Sequence, residues 1–231
     1  MVPAKSRFKS GEISGIPFVK FTLTYDGELP SSGNGSKKVR EKWEIRKQFD
    51  PQLRELWKVS PGLRLARTHS IIPAAGGFWM IDTHHSDPHV VSNTVMKEGD
   101  IDLCAHIERG GRKFFPLVRE SFALMCGLKI LFLRKEKPGR VYQGGDLDDR
   151  IKTLLDALCI PDAAQVKAED ATIEDPIHCL LEDDSRIMSL DVQTERLLSN
   201  VGSSESEVRL VVEVDVRVTQ MHIYNAQFLG D

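Results

Sequence analysis

The segment EVRLVVEVDVRV, Glu207 to Val218, alternates Val208, Leu210, Val212, Val214, Val216 and Val218 with charged or polar neighbours, Val211 excepted. Successive side chains on a strand point to opposite faces, so a period of two commits the chain to a sheet with one buried and one wetter face. A second run, Ile16 to Tyr25, sets Pro17, Val19, Phe21, Leu23 and Tyr25 against Lys20, Thr22 and Thr24 and predicts an early strand. LKILFLR, Leu128 to Arg134, predicts a third, and LLEDDSRIMSLDV predicts a turn leading into a strand from Ile187.

Helical period appears between these strands. In GGDLDDRIKTLLDALCIPD, Gly144 to Asp162, the apolar residues Ile151, Leu154, Leu155 and Leu158 recur at helical spacing after an acidic start, and Pro161 stops the helix. Lys37 to Lys47 reads as a helix with Ser36 as its N-cap. Asp50-Pro51 reads as a cap and first-turn proline of a second short helix through Trp57. Phe114 to Met125 reads as a further short helix, and Pro161 to Leu181 as a polar loop. From Val59 to about Gly111 the period is broken by Pro61, Pro73, Gly76-Gly77, Pro88, Gly99 and Gly110-Gly111, which predicts an inserted hairpin or lobe. The expected fold class is therefore α+β: a small mixed β-sheet packed with helices, one domain over residues 1–231 with an irregular insertion at about 59–111.

Bulk properties narrow the function. The net charge of -3 argues against a protein that coats nucleic acid by charge alone. Yet residues 1–140 hold 24 Lys and Arg against 15 Asp and Glu, whereas residues 141–231 hold 7 against 19. Either opposite charges face each other within the fold, or a basic surface grips phosphates around an acidic, metal-filled cleft. The four cysteines, Cys104, Cys126, Cys159 and Cys179, are widely spaced and read as reduced core thiols. With no apolar run of bilayer length, the expectation is a soluble, cytoplasmic protein with no membrane partner.

Magnesium takes hard oxygen ligands and keeps open positions for water and phosphate, so a phosphodiester hydrolase needs carboxylates converging from different elements. Asp146 and Asp148 stand at the mouth of the acidic helix, and Asp183 and Asp184 form a second pair beside a strand. Lys152 follows Asp148 by one helical turn on the same face, where it can offset charge developing on a phosphate, and Asp156 continues that face. Each of these also has an ordinary structural reading, since acids suit a helix N-terminus and an Asp/Lys pair one turn apart stabilises an exposed helix.

The string DLDDRIKTLLDAL, followed later by EDDSRI, resembles the RusA family of Holliday-junction resolvases. Asp146, Asp148, Lys152 and Asp184 match that family's catalytic positions, and Asp156, Ala157, Leu158 and Asp183 its flanking pattern. ELPSSGNGSKK resembles the family's loop after the first strand, and LKILFLR the strand before the catalytic motif. The resemblance covers about half of the chain and implies a RusA-like α+β fold, a homodimer on a four-way DNA junction and a role in DNA recombination and repair. It further implies magnesium-dependent hydrolysis, with Mn²⁺ as a substitute, in which Asp146, Asp148 and Asp184, joined by Asp183, hold the metal. Three features depart from the family pattern: Asp149 replaces the usual asparagine, the stretch from Pro161 to Leu181 is long, and Val59 to Gly111 has no counterpart.

Lys37, Lys38, Arg40, Arg46 and Lys47 are the candidate phosphate contacts. DTHHSDPH collects Asp82, His84, His85, Asp87 and His89, which marks a candidate second site for Zn²⁺ within the insertion, compatible with the nuclease reading. The alternative from another class is a non-catalytic DNA-binding or assembly protein on the same fold. An aspartyl-nucleophile phosphatase requires its DxD directly after a buried strand, and here Gln143, Gly144 and Gly145 intervene.

Overall fold

The computed structural model describes residues 15–29, 35–68, 71–72, 101–135, 146–166, 172–198, 206–222 and 225–226. In chain order they form β1 (Ile16–Glu28), α1 (Gly35–Val59), α2 (Pro61–Thr68), β2 (Ile71–Ile72), β3 (Ile101–Asp102), β4 (Ile107–Arg109) and β5 (Arg112–Val118). There follow β6 (Leu124–Arg134), α3 (Asp146–Leu158), α4 (Ala163–Val166), β7 (Ile177–Leu181), β8 (Ile187–Arg196) and β9 (Glu207–Val218). The architecture is mixed α+β, with more than the one sheet expected. A four-stranded sheet has the order β1-β9-β6-β8, a three-stranded sheet the order β4-β5-β7, and β2 pairs with β3.

The alternating segment is an inner strand of the larger sheet, as its pattern requires. β9 runs antiparallel to both β1 and β6, and β8 lies parallel to β6 at the edge. Val208, Leu210, Val212, Val214, Val216 and Val218 are all buried, and Arg209 and Glu213 are exposed on the other face. Burying one such side chain contributes about 1.5–3 kcal/mol. The same core takes Leu23 and Tyr25 from β1, Ile45, Phe49, Leu53 and Trp57 from α1, and Ile151, Leu154 and Leu158 from α3. At the start of β1 the register shifts between Pro17 and Val19, so Phe18 is buried where simple alternation puts Pro17 inside.

Three expected elements are corrected. Phe114 to Met125 is no helix: it divides between β5, a 3-10 turn at Glu120–Phe122 and the start of β6. Phe114, Phe115, Leu117 and Val118 are all buried, and a strand covered on both faces shows a continuous apolar run without a period of two. IHCLL, inside the expected loop from Pro161 to Leu181, is β7, which lies parallel to β5 and has all five residues buried. The two helices expected around Asp50-Pro51 are one. α1 runs through Pro51, and Ser36 sits inside the helix rather than capping it. An interior proline costs about 3 kcal/mol, and the helix bears this because its buried face continues unbroken from Trp43 to Trp57.

In the expected insertion, the described residues are regular: α2, β2, β3 and a β4–β5 hairpin turning on Gly110 and Gly111 at φ 57° and 82°. A two-residue hairpin turn of this kind needs positive φ at both positions, which glycine adopts without a Cβ penalty. Residues 73–100 lie outside the described set, and with them Asp82, His84, His85, Asp87 and His89. All four cysteines are free thiols, three of them buried, and burial is the main cause that pushes each up to about 12. Among the described residues no helix is long and apolar enough to cross a membrane.

Candidate functional site

α1 is the ruler against which the candidate site is measured. Lys38, Lys42, Arg46, Asp50 and Arg54 recur every four residues and therefore share one helix stripe. Lys38 pairs with Asp149 at 3.5 Å, and Lys42 pairs with Asp156 at 2.7 Å. Arg46 donates to the carbonyl oxygens of Asp156 (2.7 Å) and Cys159 (3.2 Å). Asp50 accepts the backbone N–H of His178 at 2.7 Å, and Arg54 donates to the carbonyls of Glu174 (2.7 Å) and Pro176 (2.8 Å). The first part of the stripe thus follows α3 in the same direction, and the second part meets β7 in reverse order. β7 consequently travels back along α1 toward the level of α3.

At the crossing, Cys159 bridges Leu181, and the Ile160 N–H donates to the Leu181 carbonyl at 3.2 Å. Three residues beyond Leu181 comes Asp184, the first residue of a 3-10 turn, Asp184–Arg186, that leads into β8. Burial pushes the Cys159 thiol up to about 12, and the charges of Asp184 and, more weakly, Asp156 add to the rise. The fold therefore brings the segment that carries the second acidic pair to the C-terminal end of the acidic helix, although the two are separated in sequence by α4 and β7.

The individual acids differ in how they are engaged. Asp183 caps the 3-10 turn, accepting from the backbone N–H and the hydroxyl of Ser185, which is an architectural role. Asp149 and Asp156 are tied to lysines of α1. Asp148, Lys152 and Asp184 are exposed, and among the described residues none of them has an ion-pair partner. Asp148 and Lys152 lie one turn apart on α3, so both project from the same side of the helix. Asp146 is the first residue of α3, and its side chain lies outside the described residues. Among the described residues no group of three or more His, Cys, Asp or Glu is gathered into a metal cage.

The candidate phosphate contacts divide as well. Lys37 and Arg40 are exposed near the start of α1. Lys38 is shared with Asp149, and Lys47 with Glu44 at 3.1 Å. Arg46 is corrected: it is buried at 2% exposure and spends its guanidinium on the C-terminal carbonyls of α3, so no phosphate can reach it. The charge asymmetry is thus used inside the molecule, with basic α1 facing acidic α3. Lys42 is the residue that sequence reasoning leaves out. Its four-residue spacing from both Lys38 and Arg46 was the available signal.

A second polar cluster is enclosed rather than open. His178 is buried, its Nδ1 lies 3.1 Å from the Pro176 carbonyl, and its Nε2 lies 3.2 Å from an Arg67 guanidinium nitrogen. Burial, the larger influence, and the nearby cations outweigh Asp50 and hold His178 below its ordinary value of 6.5, so the ring is neutral near pH 7. Phe115 stands edge-on to it with ring centroids 5.4 Å apart. No protein-family model matches the chain, and neither a curated protein nor a solved structure matches it significantly.

Proposed function

We propose that this chain is a metal-dependent endodeoxyribonuclease of the RusA type, a homodimer that hydrolyses phosphodiester bonds in branched DNA. The observation that carries the reading is the division among the acids. Asp149, Asp156 and Asp183 are consumed by the architecture, whereas Asp148 and Lys152 on α3 and Asp184, three residues beyond the strand that crosses to the end of α3, stand open to solvent. Open carboxylates are the donors a hard divalent cation takes, so the residues present fit Mg²⁺ or Mn²⁺ in chemistry.

Asp146, Asp148 and Asp184 would hold the metal, which when bound supplies an activated water and neutralises charge on the attacked phosphate. Lys152, one turn from Asp148 on the same helix face, would offset the charge gathered on the phosphate in the transition state. Lys37 and Arg40 contact backbone phosphates flanking the cut. The branched substrate rests on the RusA-like motif, and a two-fold dimer would match paired cuts on opposite strands.

The test is incubation of the purified protein with a labelled four-way junction and a matched linear duplex, with and without Mg²⁺, beside Asp148→Asn and Asp184→Asn. Paired, metal-dependent incisions of the junction that vanish in both variants, with junction binding retained, are the expected result. Binding without incision in either Mg²⁺ or Mn²⁺ sinks the enzyme reading and leaves a non-catalytic DNA-binding or assembly protein.

A further inference from the structure

We propose that Arg46 is the positioning residue of this site, setting the span between Asp148 on α3 and Asp184 beyond β7; the inference rests on the metal-dependent reading above. The last carbonyls of a helix have no intrahelical partner and carry its negative end, so a buried guanidinium there is both a hydrogen-bond donor and a charge match. Arg46 meets two of these carbonyls, Asp156 and Cys159, from one nitrogen. Its own place is set by the Trp43 ring, 4.9 Å from the guanidinium carbon. Lys42, one turn earlier, clamps the Asp156 side chain of the same terminal turn.

The held turn is the one that crosses to β7. Immediately after the carbonyl that Arg46 grips, Cys159 and Ile160 bond to Leu181, the last residue of β7. From Leu181 only Glu182 and Asp183 separate the strand from Asp184. Arg46 donates to the Asp156 and Cys159 carbonyls and to neither Asp148 nor Asp184, so its influence on the site runs through the α3 backbone. Loss of a group bonded directly to a metal ligand weakens metal binding about 10- to 100-fold, and the lower end of that range is the expectation for a residue that acts one step further out. Lysine at this position has the charge but not the planar fork, so it should restore the crossing only in part.

The experiment compares wild-type protein with Arg46→Met, Arg46→Lys and Leu210→Ala. Leu210 is a core residue paired with Phe132, at the end of the sheet away from the Cys126–Ile187 pairing, and its truncation lowers stability without touching the crossing. Mn²⁺ binding is read by electron paramagnetic resonance without DNA, and hydrogen exchange is read at the Ile160 amide. Arg46→Met should weaken Mn²⁺ binding about tenfold or more and speed exchange at Ile160, with Arg46→Lys between it and wild type. Leu210→Ala should leave Mn²⁺ affinity unchanged. Wild-type affinity in a folded Arg46→Met overturns the proposal, as does an equal loss in Leu210→Ala. A wild-type protein that binds no Mn²⁺ overturns the metal reading instead, and exchange at Ile160 that is unchanged in Arg46→Met then also removes Arg46 from the crossing.

Discussion

The carboxylate of Asp50, in the middle of α1, accepts the backbone N–H of His178 in β7 at 2.7 Å, and its second oxygen accepts Arg54 Nε at 2.9 Å. A residue that looks like a helix cap before proline is instead the bolt between a long helix and the inner edge of a second sheet. Both oxygens are committed, and the side chain is nearly closed to solvent.

Replacing Asp50 with alanine strands a buried N–H on β7 and leaves Arg54 without its carboxylate. Losing one partner of a buried charged pair costs about 3–5 kcal/mol. Urea unfolding of Asp50→Ala should show a loss of that order with an unchanged slope. A loss below about 1 kcal/mol, the range of surface pairs, would mean that the contact is not formed in solution.

The pH dependence of stability follows from His178. Its folded pKa lies below the ordinary 6.5 because burial disfavours the imidazolium. As pH falls, the unfolded chain takes up the proton first, so this contribution is complete above about 6.5 and is lost as pH drops from there through the folded value. Asp50, held low against its own burial by hydrogen bonds from His178 and Arg54, contributes stability that fades only below the ordinary 3.8. Unfolding free energies from about pH 7.5 to about pH 5.5 should therefore decline in the wild type and decline less in His178→Gln. Parallel curves would count against a neutral, buried His178.

Within the acidic segments, substitutions should separate by engagement. Lys152→Met should lower junction cleavage by about a hundredfold, the usual scale for removing a group that stabilises transition-state charge. Asp149→Asn and Asp156→Asn, which remove only ion pairs with α1, should keep cleavage within about threefold and lower stability by about 1 kcal/mol or less. The measurements are initial cleavage rates and thermal melting. Equal losses of cleavage across all three variants would erase the distinction between open and engaged residues.

The two turn glycines should behave differently. A Cβ on Gly110, at φ 57°, would lie 2.7 Å from the Val166 Cβ, whereas a Cβ on Gly111, at φ 82°, meets nothing within 4 Å. Gly111→Ala should cost about 1 kcal/mol from backbone strain alone, and Gly110→Ala more, since α4 must also move. Thermal melts of the two variants give the order, and the reverse order would contradict this packing of α4 on the hairpin.

Legibility in the sequence tracks how local the cause is. β9 and β6 alternate or run apolar over their own length, and α3 repeats its leucines each turn, so each could be read without a partner. The stripe at Lys38, Lys42, Arg46, Asp50 and Arg54 was equally legible as a spacing. What it grips was not, because α3 and β7 come to it from more than a hundred positions away. For the same reason Arg46 read as a surface cation, though folding has buried it against carbonyls.

The acidic motif and the alternating strands were thus determined by the sequence itself, since residue type and period decide them within a few turns of chain. Only the tertiary structure decided that α1 continues through Pro51, that IHCLL is a strand and that Asp184 returns to α3. Each of these depends on surface buried against elements remote in sequence. Such contacts supply several kcal/mol where local preferences differ by about one, so packing overrides them.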